Sequence, residues 1–112
     1  MVDAVSQSLE GYMDTLSARQ KLVASNIANA DTPGYKTLDL DFSSAYQSAL
    51  DGATPKAEQV QGLPVKSDGN NVSLDREARM LAENALRFSV ASSLLKSQFR
   101  TLKSAIDEGR NG

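Results

Sequence analysis

The sequence of 112 residues contains no cysteine, no histidine and no tryptophan, and only 5% of its residues are aromatic. The missing thiols and imidazoles exclude disulfide bridges, thiolate or imidazole metal sites, and the usual nucleophile and base pairs of hydrolases. With so few aromatic side chains a compact core would be thin, and small chains of this kind often depend on an assembly partner. No catalytic residue, cofactor, metal or small-molecule substrate is predicted.

Long apolar runs and a strong net charge are also missing. The formal net charge of −2 gives no basis for nucleic-acid binding. No window approaches the roughly 20 apolar residues of a membrane span. Residues 1–3 offer neither the basic start nor the apolar run of a secretory signal. Taken alone, these patterns favour a cytosolic protein.

The charges that are present are divided unevenly along the chain. Residues 1–51 hold three basic and seven acidic side chains, whereas residues 76–112 hold seven basic and four acidic ones. Opposite charge at the two ends favours segments that lie against one another, within one chain or between copies. Because salt screens exposed charges, we expect this pattern to orient the segments more than to stabilise them.

Apolar residues near the N-terminus recur at alternating steps of three and four. This spacing predicts a helix over residues 2–30 with one apolar seam of the coiled-coil type. The seam consists of Val2, Val5, Leu9, Tyr12, Leu16, Val23 and Ala30. Arg19 and Asn26 occupy its two remaining places. They either mark an exposed end of the helix or fix its register against a neighbour.

A turn is predicted directly after this helix. Pro33 presets the second position of a type II turn and Gly34 can take the positive φ of the third. Proline also disfavours helical geometry in the residue before it, so the helix should end at about Ala30. By these rules alone the stretch could be an ordinary helix stop.

The segment between the turn and the second long helix is predicted to contain only short elements of secondary structure. Residues 38–42 alternate between apolar and acidic side chains, which indicates an extended piece with one exposed face. Asp39 and Asp41 share that face without a glycine-bearing loop, so we predict no catalytic or calcium site, and Asp41 is better placed as a helix N-cap. A two-turn amphipathic helix follows. Residues 51–71 indicate a surface loop with a brief extended piece at 63–66.

A second long helix is predicted to begin near Ser73 and to stop at Gly109. Its apolar positions again alternate in threes and fours, over about four heptads. This seam consists of Ala78, Leu81, Ala85, Phe88, Ser92, Leu95, Phe99, Leu102 and Ile106. A second stripe, formed by Leu86, Val90 and Leu94, lies off the seam. One partner helix cannot cover both, so the second stripe is predicted to face other subunits.

These patterns together predict one mainly α domain. Residues 1–30 and 72–112 form long helices packed as a coiled-coil-like pair, and residues 31–71 hold the turn, a short extended piece, a short helix and the loop. Packing between subunits is predicted at Val5, Leu9, Leu16, Val23, Leu81, Phe88, Leu95, Phe99, Leu102 and Ile106. Ser93 and Lys96 match a Ser-x-x-Lys spacing, which on an amphipathic helix is far better explained by chance.

The order of the residues around the turn resembles the signature of the flagellar rod and hook family, an Asn-Ile/Leu-Ala-Asn run followed by a Thr-x-Gly-Tyr/Phe turn. It reads here Asn26-Ile27-Ala28-Asn29, and then Asp31-Thr32-Pro33-Gly34-Tyr35. Further residues similar to the closing helix of that family lie at 70–72, 81–84 and 99–106. The resemblance covers residues 9–42 and 70–107 and does not extend to the middle of the chain.

The resemblance implies a structural subunit of the flagellar basal body, exported by the flagellar type III apparatus without a cleaved signal peptide. Its helices would pack with those of neighbouring copies and other rod subunits into a torque-transmitting periplasmic rod. This rod would start at the inner-membrane ring and its rod-base adaptor proteins. The free monomer is then expected to be partly disordered. The alternatives are another short rod subunit, or a soluble helical adaptor or export chaperone.

Overall fold

The structure is a computed structural model that describes residues 3–111. Its elements, in chain order, are helix α1 (Ala4–Ala28), strand β1 (Leu38–Leu40), helix α2 (Phe42–Leu50), strand β2 (Ala57–Gln59) and helix α3 (Leu74–Asn111). The mainly α fold with two long packed helices is confirmed. The radius of gyration is 18.4 Å and the extents are 71 × 24 × 18 Å, against a radius of roughly 13 Å for a compact chain of this length. The protein is therefore rod-shaped.

Local chemistry sets both ends of α1. At its start, the Asp3 carboxylate accepts a hydrogen bond from the backbone amide of Ser6 at 2.7 Å, which makes Asp3 the N-cap. The helix ends at Ala28, two residues before the predicted Ala30, and Asn29 is its C-cap. Val2, the first residue of the predicted seam, lies outside the described residues.

The predicted turn after α1 is confirmed. The amide of Tyr35 donates to the carbonyl of Thr32 at 3.2 Å, and Gly34 has a φ of +76°. A residue with a side chain would be strained at that φ, so the turn needs its glycine. The turn sends the chain back along α1, with Leu38 beside Asn26.

The strand pair was predicted only in part. β1 lies where the alternation indicated an extended piece, and it pairs antiparallel with β2, with Leu38 opposite Gln59 and Leu40 opposite Ala57. The extended piece predicted at 63–66 is wrong, because the second strand lies earlier in the loop. All three β2 residues are exposed, so backbone pairing with β1 holds this strand. Its sequence has no apolar pattern from which the strand could be predicted.

The short helix α2 packs against α1. Asp41 is its N-cap, as predicted, although its side chain accepts a hydrogen bond from the Ser44 hydroxyl at 2.7 Å and caps no backbone amide. The rings of Tyr12 and Phe42 meet edge to face at 5.6 Å. Gly11 explains how closely the two helices approach, because a Cβ there would lie 2.7 Å from the side chain of Leu50.

α3 is longer than α1 and runs antiparallel to it. Its first turn is capped by Ser73, whose hydroxyl accepts from the amide of Arg76 at 3.2 Å. The predicted stop at Gly109 is wrong, because α3 continues to Asn111. A glycine ends a helix only when it turns to positive φ, and inside a helix it costs about 1 kcal/mol relative to alanine. The 38 residues of α3 span about 57 Å.

Much of the buried interior is polar. Buried apolar side chains are those of Leu16, Val23, Ala30, Leu40, Ala45, Val72 and Ala91. Buried polar side chains are those of Ser6, Thr15, Asn26, Thr37, Asn70, Asn71, Glu77 and Asn84. Three of these side chains, those of Asn26, Asn70 and Asn84, hydrogen-bond to another part of the fold and so help to fix how the elements sit together.

Candidate assembly interface

The stretch with the family-like signature folds around Asn26, which is fully buried. Its Oδ1 accepts from the amide of Leu38 at 3.0 Å and its Nδ2 donates to the carbonyl of the same residue at 2.8 Å. The hydroxyl of Tyr35 also donates to this Oδ1, at 2.9 Å. Asn26 therefore holds the returning strand of its own chain. The expectation that its seam position marks an exposed end of the helix is wrong, because Asn26 is fully buried.

Residues from far along the sequence cap the end of α1. The Nδ2 of Asn70 donates to the carbonyls of Asn29 and Thr32 at 2.9 and 2.8 Å. The Oδ1 of Asn71 accepts from the amide of Thr37 at 2.7 Å. The last carbonyls of a helix need partners from outside it, and here a segment some forty residues later supplies one. We call Asn26, Asn29, Asn70 and Asn71 the asparagine clasp.

A cluster of four charged side chains joins α1, β1 and α3. Asp39 accepts from Arg19 Nε at 2.9 Å and from Arg76 Nη2 at 2.7 Å, and Arg76 also pairs with Glu77 at 2.7 Å. The guanidinium of Arg19 lies 5.0 Å from the ring centre of Phe42. We call these two arginines and two acids the ionic cluster. Its charges balance, which makes its burial tolerable.

The ionic cluster corrects two expectations. The side chain of Asp39 is only 14% exposed, so the prediction that it shares an exposed face with Asp41 is wrong. Arg19 binds Asp39 of its own chain, so it does not end the helix in solvent. Alternation predicts which way a side chain points from a strand, but not which helix covers that face.

The contact between α1 and α3 follows a line of polar and small residues spaced by seven: Glu77, Asn84, Ala91 and Gln98. Asn84 Nδ2 donates to the carbonyl of Leu16 at 2.9 Å and to Gln20 Oε1 at 3.0 Å. Near the other end of α1, Gln98 Nε2 donates to the Asp3 carboxylate at 2.7 Å. This contact line lies one residue before the predicted seam positions 78, 85, 92 and 99.

The apolar stripes of α3 flank the contact line on both sides and remain open. Exposed fractions in the predicted seam are 40% for Leu81, 38% for Phe88, 44% for Phe99 and 61% for Ile106, and in the second stripe 66% for Leu86, 52% for Val90 and 53% for Leu94. Leu95 and Leu102 are half-buried. On α1, Val5 is exposed and Leu9 is half-buried, whereas Leu16 and Val23 belong to the chain's own core.

A groove lies between α1 and the second stripe of α3. Its volume is about 250 Å³, and it is lined by Leu9, Tyr12, Leu86, Arg87, Val90, Ala91 and Leu94. At the rim, Arg87 pairs with Glu83 at 2.6 Å. A hydrogen bond with the Tyr12 hydroxyl raises the pKa of the Arg87 guanidinium above its ordinary value. The groove is thus an apolar slot with a permanently charged edge.

The described residues offer little for site chemistry of other kinds. Across residues 3–111, no group of three or more acidic side chains is placed to hold a metal ion. None of the helices described combines the length and the apolar character needed to cross a bilayer.

Comparison with known proteins agrees with the resemblance. Residues 9–36 match a family model described as flagella basal body rod protein. Flagellar basal body rod protein FlgB of Escherichia coli strain K12 is 30% identical over 137 aligned positions, which cover 97% of this chain and 99% of that protein. The chain belongs to the FlgB family of flagellar basal body rod proteins. It is therefore a structural component of the flagellar basal body rod.

Other members of the family are similarly distant. FlgB of Yersinia ruckeri is 27% identical, with 97% of this chain and 100% of that protein covered. FlgB of Bacillus subtilis strain 168 is 26% identical, with 93% and 94% covered. These matches cover both stretches that carry the resemblance, residues 9–42 and 70–107, and extend across most of the middle of the chain.

Sequence reasoning singled out the first half of the clasp but missed how it is completed. Asn70 and Asn71 were noted only as similar to the family's closing region, and their contacts with α1 were not inferred. Asn84 was noted on the same ground, within 81–84, and no contact was inferred for it or for Arg76 and Glu77. A signal was present, since polar and small residues at 77, 84, 91 and 98 repeat as regularly as the apolar seam beside them.

Proposed function

We propose that the chain is a subunit of the proximal rod that polymerises through the exposed apolar stripes of α3 and so helps to form the torque-transmitting axial shaft. One observation carries this proposal. The two long helices hold each other through polar and small side chains, and the larger apolar side chains beside that line stay exposed. Exposed apolar patches on a soluble protein mark surfaces that bind other molecules.

The energetics favour burial of these stripes between subunits. Fully burying an exposed Leu, Val, Ile or Phe side chain contributes about 1.5–3 kcal/mol. Seven such residues of the two stripes are still exposed by 38–66%, so covering them would contribute a corresponding part of that value each. The stripes lie on opposite sides of the contact line, so a single neighbour cannot cover both. Contacts between different surfaces of identical subunits generate an open helical array, which is the geometry of a rod.

The proposed partners follow from this role. They are copies of the chain, other flagellar rod subunits, the inner-membrane ring with its rod-base adaptor proteins, and the flagellar type III export apparatus. We propose no catalysis, no cofactor and no binding of nucleic acid or small molecules. The absence of cysteine and histidine and the structural names of the relatives support this view.

A soluble helical adaptor or export chaperone is the second candidate. The asparagine clasp and the ionic cluster favour it in one respect, because they give an isolated chain a way to order its middle. An adaptor or chaperone that clamps one partner helix, however, gives no account of the second apolar stripe. A chain that stays monomeric and never enters the basal body would favour this candidate.

The test is complementation of a strain that lacks the chromosomal copy. Phe99→Asp places a charge in a stripe that assembly would bury, at a position 44% exposed in the monomer. We expect near-complete loss of swimming and of basal-body rods, with protein levels largely unchanged, because burying an unpaired charge costs several kcal/mol. Ser89→Asp is the matched control on the polar face of α3. Normal swimming with Phe99→Asp would contradict the packing role of this stripe.

A further inference from the structure

Asn84 lies in the contact between α1 and α3, and its side-chain amide is only half satisfied there. It is 5% exposed, and its Nδ2 atom donates to the Leu16 carbonyl and to Gln20 Oε1. Among the described residues, no group donates to its buried Oδ1 atom. The cavity beside it measures about 10 Å³, which is the lower limit of the volume that a water molecule needs. An unpaired buried acceptor lowers stability, so asparagine is not the residue that would stabilise this contact most.

An apolar residue at position 84 would leave no buried partner unpaired. The Leu16 carbonyl also accepts the backbone amide of Gln20 within α1, and the half-buried Gln20 side chain can turn to water. Replacing a buried polar group by an apolar one of similar shape is often neutral or stabilising under these conditions. Glu77, at the start of the same contact line, is fully buried and likewise has one oxygen without a donor among the described residues. Two of the four contact-line positions therefore lower the stability of the helix pair.

A more apolar face of α3 lies close beside the contact line. One residue advances an α-helix by about 100°. Leu81 and Phe88 each follow a contact-line residue by four positions, so they stand about 40° to one side of the line. About 100° to the same side stand the other seam residues of α3, at positions 78, 85, 92 and 99. A rotation of α3 about its own axis by roughly 70° would therefore turn the middle of this seam onto α1.

Such a rotation would bury the seam of α3 inside the subunit. Leu81 and Phe88, which are 40% and 38% exposed, would be covered by α1. The second stripe lies on the other side of the contact line, so Val90 would move away from α1 and become more exposed. The apolar residues of α3 thus favour a different arrangement from the one in the structure.

We propose that Asn84 determines the rotational position of α3 on α1 and so keeps the seam turned outward. Its two hydrogen bonds are directional and form only when the contact line faces α1, whereas apolar packing alone accepts a range of rotations. A single buried asparagine in a coiled coil selects one arrangement in the same way, at a cost in stability. The inference rests on the proposed function, because an outward seam matters only if assembly uses it.

The test variant is Asn84→Leu in the full-length chain. We expect a melting temperature equal to or above that of the wild type, because no buried partner is left unpaired. In a strain without the chromosomal copy we expect normal protein levels, but severalfold fewer basal-body rods and reduced swimming. Ser89→Leu adds the same side chain at an exposed position of α3 and should assemble like the wild type. Normal rod numbers with Asn84→Leu would overturn the role of Asn84 in assembly.

Thiol labelling of the purified chain measures the rotation itself, because the chain has no cysteine of its own. Ser92→Cys reports on the seam, two helical turns from Asn84, and Val90→Cys reports on the second stripe. Adding Asn84→Leu should slow the labelling of Ser92→Cys severalfold and leave that of Val90→Cys equal or faster. A structure that is merely loosened would speed both reactions, and an unrotated helix would change neither. Either result would overturn the inference.

A second variant covers the case in which leucine does not fit at position 84. Asn84→Met places a more adaptable apolar side chain there and should give the same pair of labelling changes. Melting of both variants below the wild type would overturn the inference, because Asn84 would then be a stabilising residue. Labelling of the wild-type chain at the rate of an unfolded peptide would overturn it as well, because α3 would then have no fixed position before assembly.

The outcomes separate this inference from the proposed function. Opposite labelling changes together with normal rods would keep the positioning role of Asn84 and contradict assembly through the seam of α3. Unchanged labelling together with lost rods would overturn the positioning role and leave the proposed function intact.

Discussion

The two ends of this rod-shaped molecule are held in different ways. At one end the asparagine clasp and the ionic cluster bind the finish of α1, β1 and the start of α3 through buried polar contacts. At the other end α3 continues past Gln98, its last described contact with the start of α1, and Phe99 and Ile106 are exposed there. We propose that buried polar contacts order the subunit, and that the exposed apolar side chains of α3 make contacts between subunits.

Removing one arginine from the ionic cluster should give the largest effect on the subunit. Arg76→Met leaves Asp39 without one partner and Glu77 without its cation, and losing one member of a buried ion pair costs about 3–5 kcal/mol. Because Arg76 is 18% exposed, we expect the lower end of this range. Denaturant unfolding of the purified chain measures it. Arg76→Met combined with Glu77→Met should recover part of the loss, and a cost below about 1 kcal/mol for the single change would contradict the cluster's role.

Asn26→Ala should have the next largest effect. The change leaves the amide and the carbonyl of Leu38 without their partner, at about 1–3 kcal/mol for each buried unsatisfied group. Because Leu38 is only half-buried, we expect a total loss in the free energy of unfolding near the lower end of the summed range, about 2–3 kcal/mol. Ile27→Ala, at a neighbouring exposed position, is the control and should change stability much less. Equal effects of the two variants would show that the clasp does not hold the turn.

The contact between Asp3 and Gln98 should give the smallest effect, visible as a dependence on pH. Hydrogen bonds from the Ser6 amide and the Gln98 side chain lower the pKa of Asp3. A lowered folded-state pKa stabilises the protein above the unfolded-state pKa, and this contribution disappears as the pH falls through the folded-state value. The melting temperature of the wild type should therefore drop slightly more between pH 5 and pH 3 than that of Asp3→Asn. Identical slopes would rule out this contribution.

Periodicity and turn chemistry predicted the elements that depend on neighbouring residues. The spacing of Leu9, Leu16 and Val23 predicted α1, and Pro33 with Gly34 predicted the turn and the helix end to within two residues. Such signals succeed because they act over one or two helical turns. The two separated matches to one family likewise predicted the membership that the relatives show.

Contacts between distant residues were not predictable by the same means. Nothing in the spacing of Asn70 says that it caps Asn29, forty-one positions earlier. The contact line of α3 was misplaced by one residue because the rule for coiled coils assumes that apolar side chains face the partner helix. Here Asn84 and Gln98 take that place. The apolar seam beside them was recognised as needing a partner.

Hydrogen exchange of the isolated chain and of assembled rods tests the division between polar and apolar contacts most directly. Amides in residues 26–38 and 70–84 should be protected in the isolated chain, because the clasp and the ionic cluster order that end. Amides in residues 99–111 should exchange fast in the isolated chain and slow strongly in rods. Protection of 99–111 before assembly, or fast exchange throughout residues 26–38, would contradict the account.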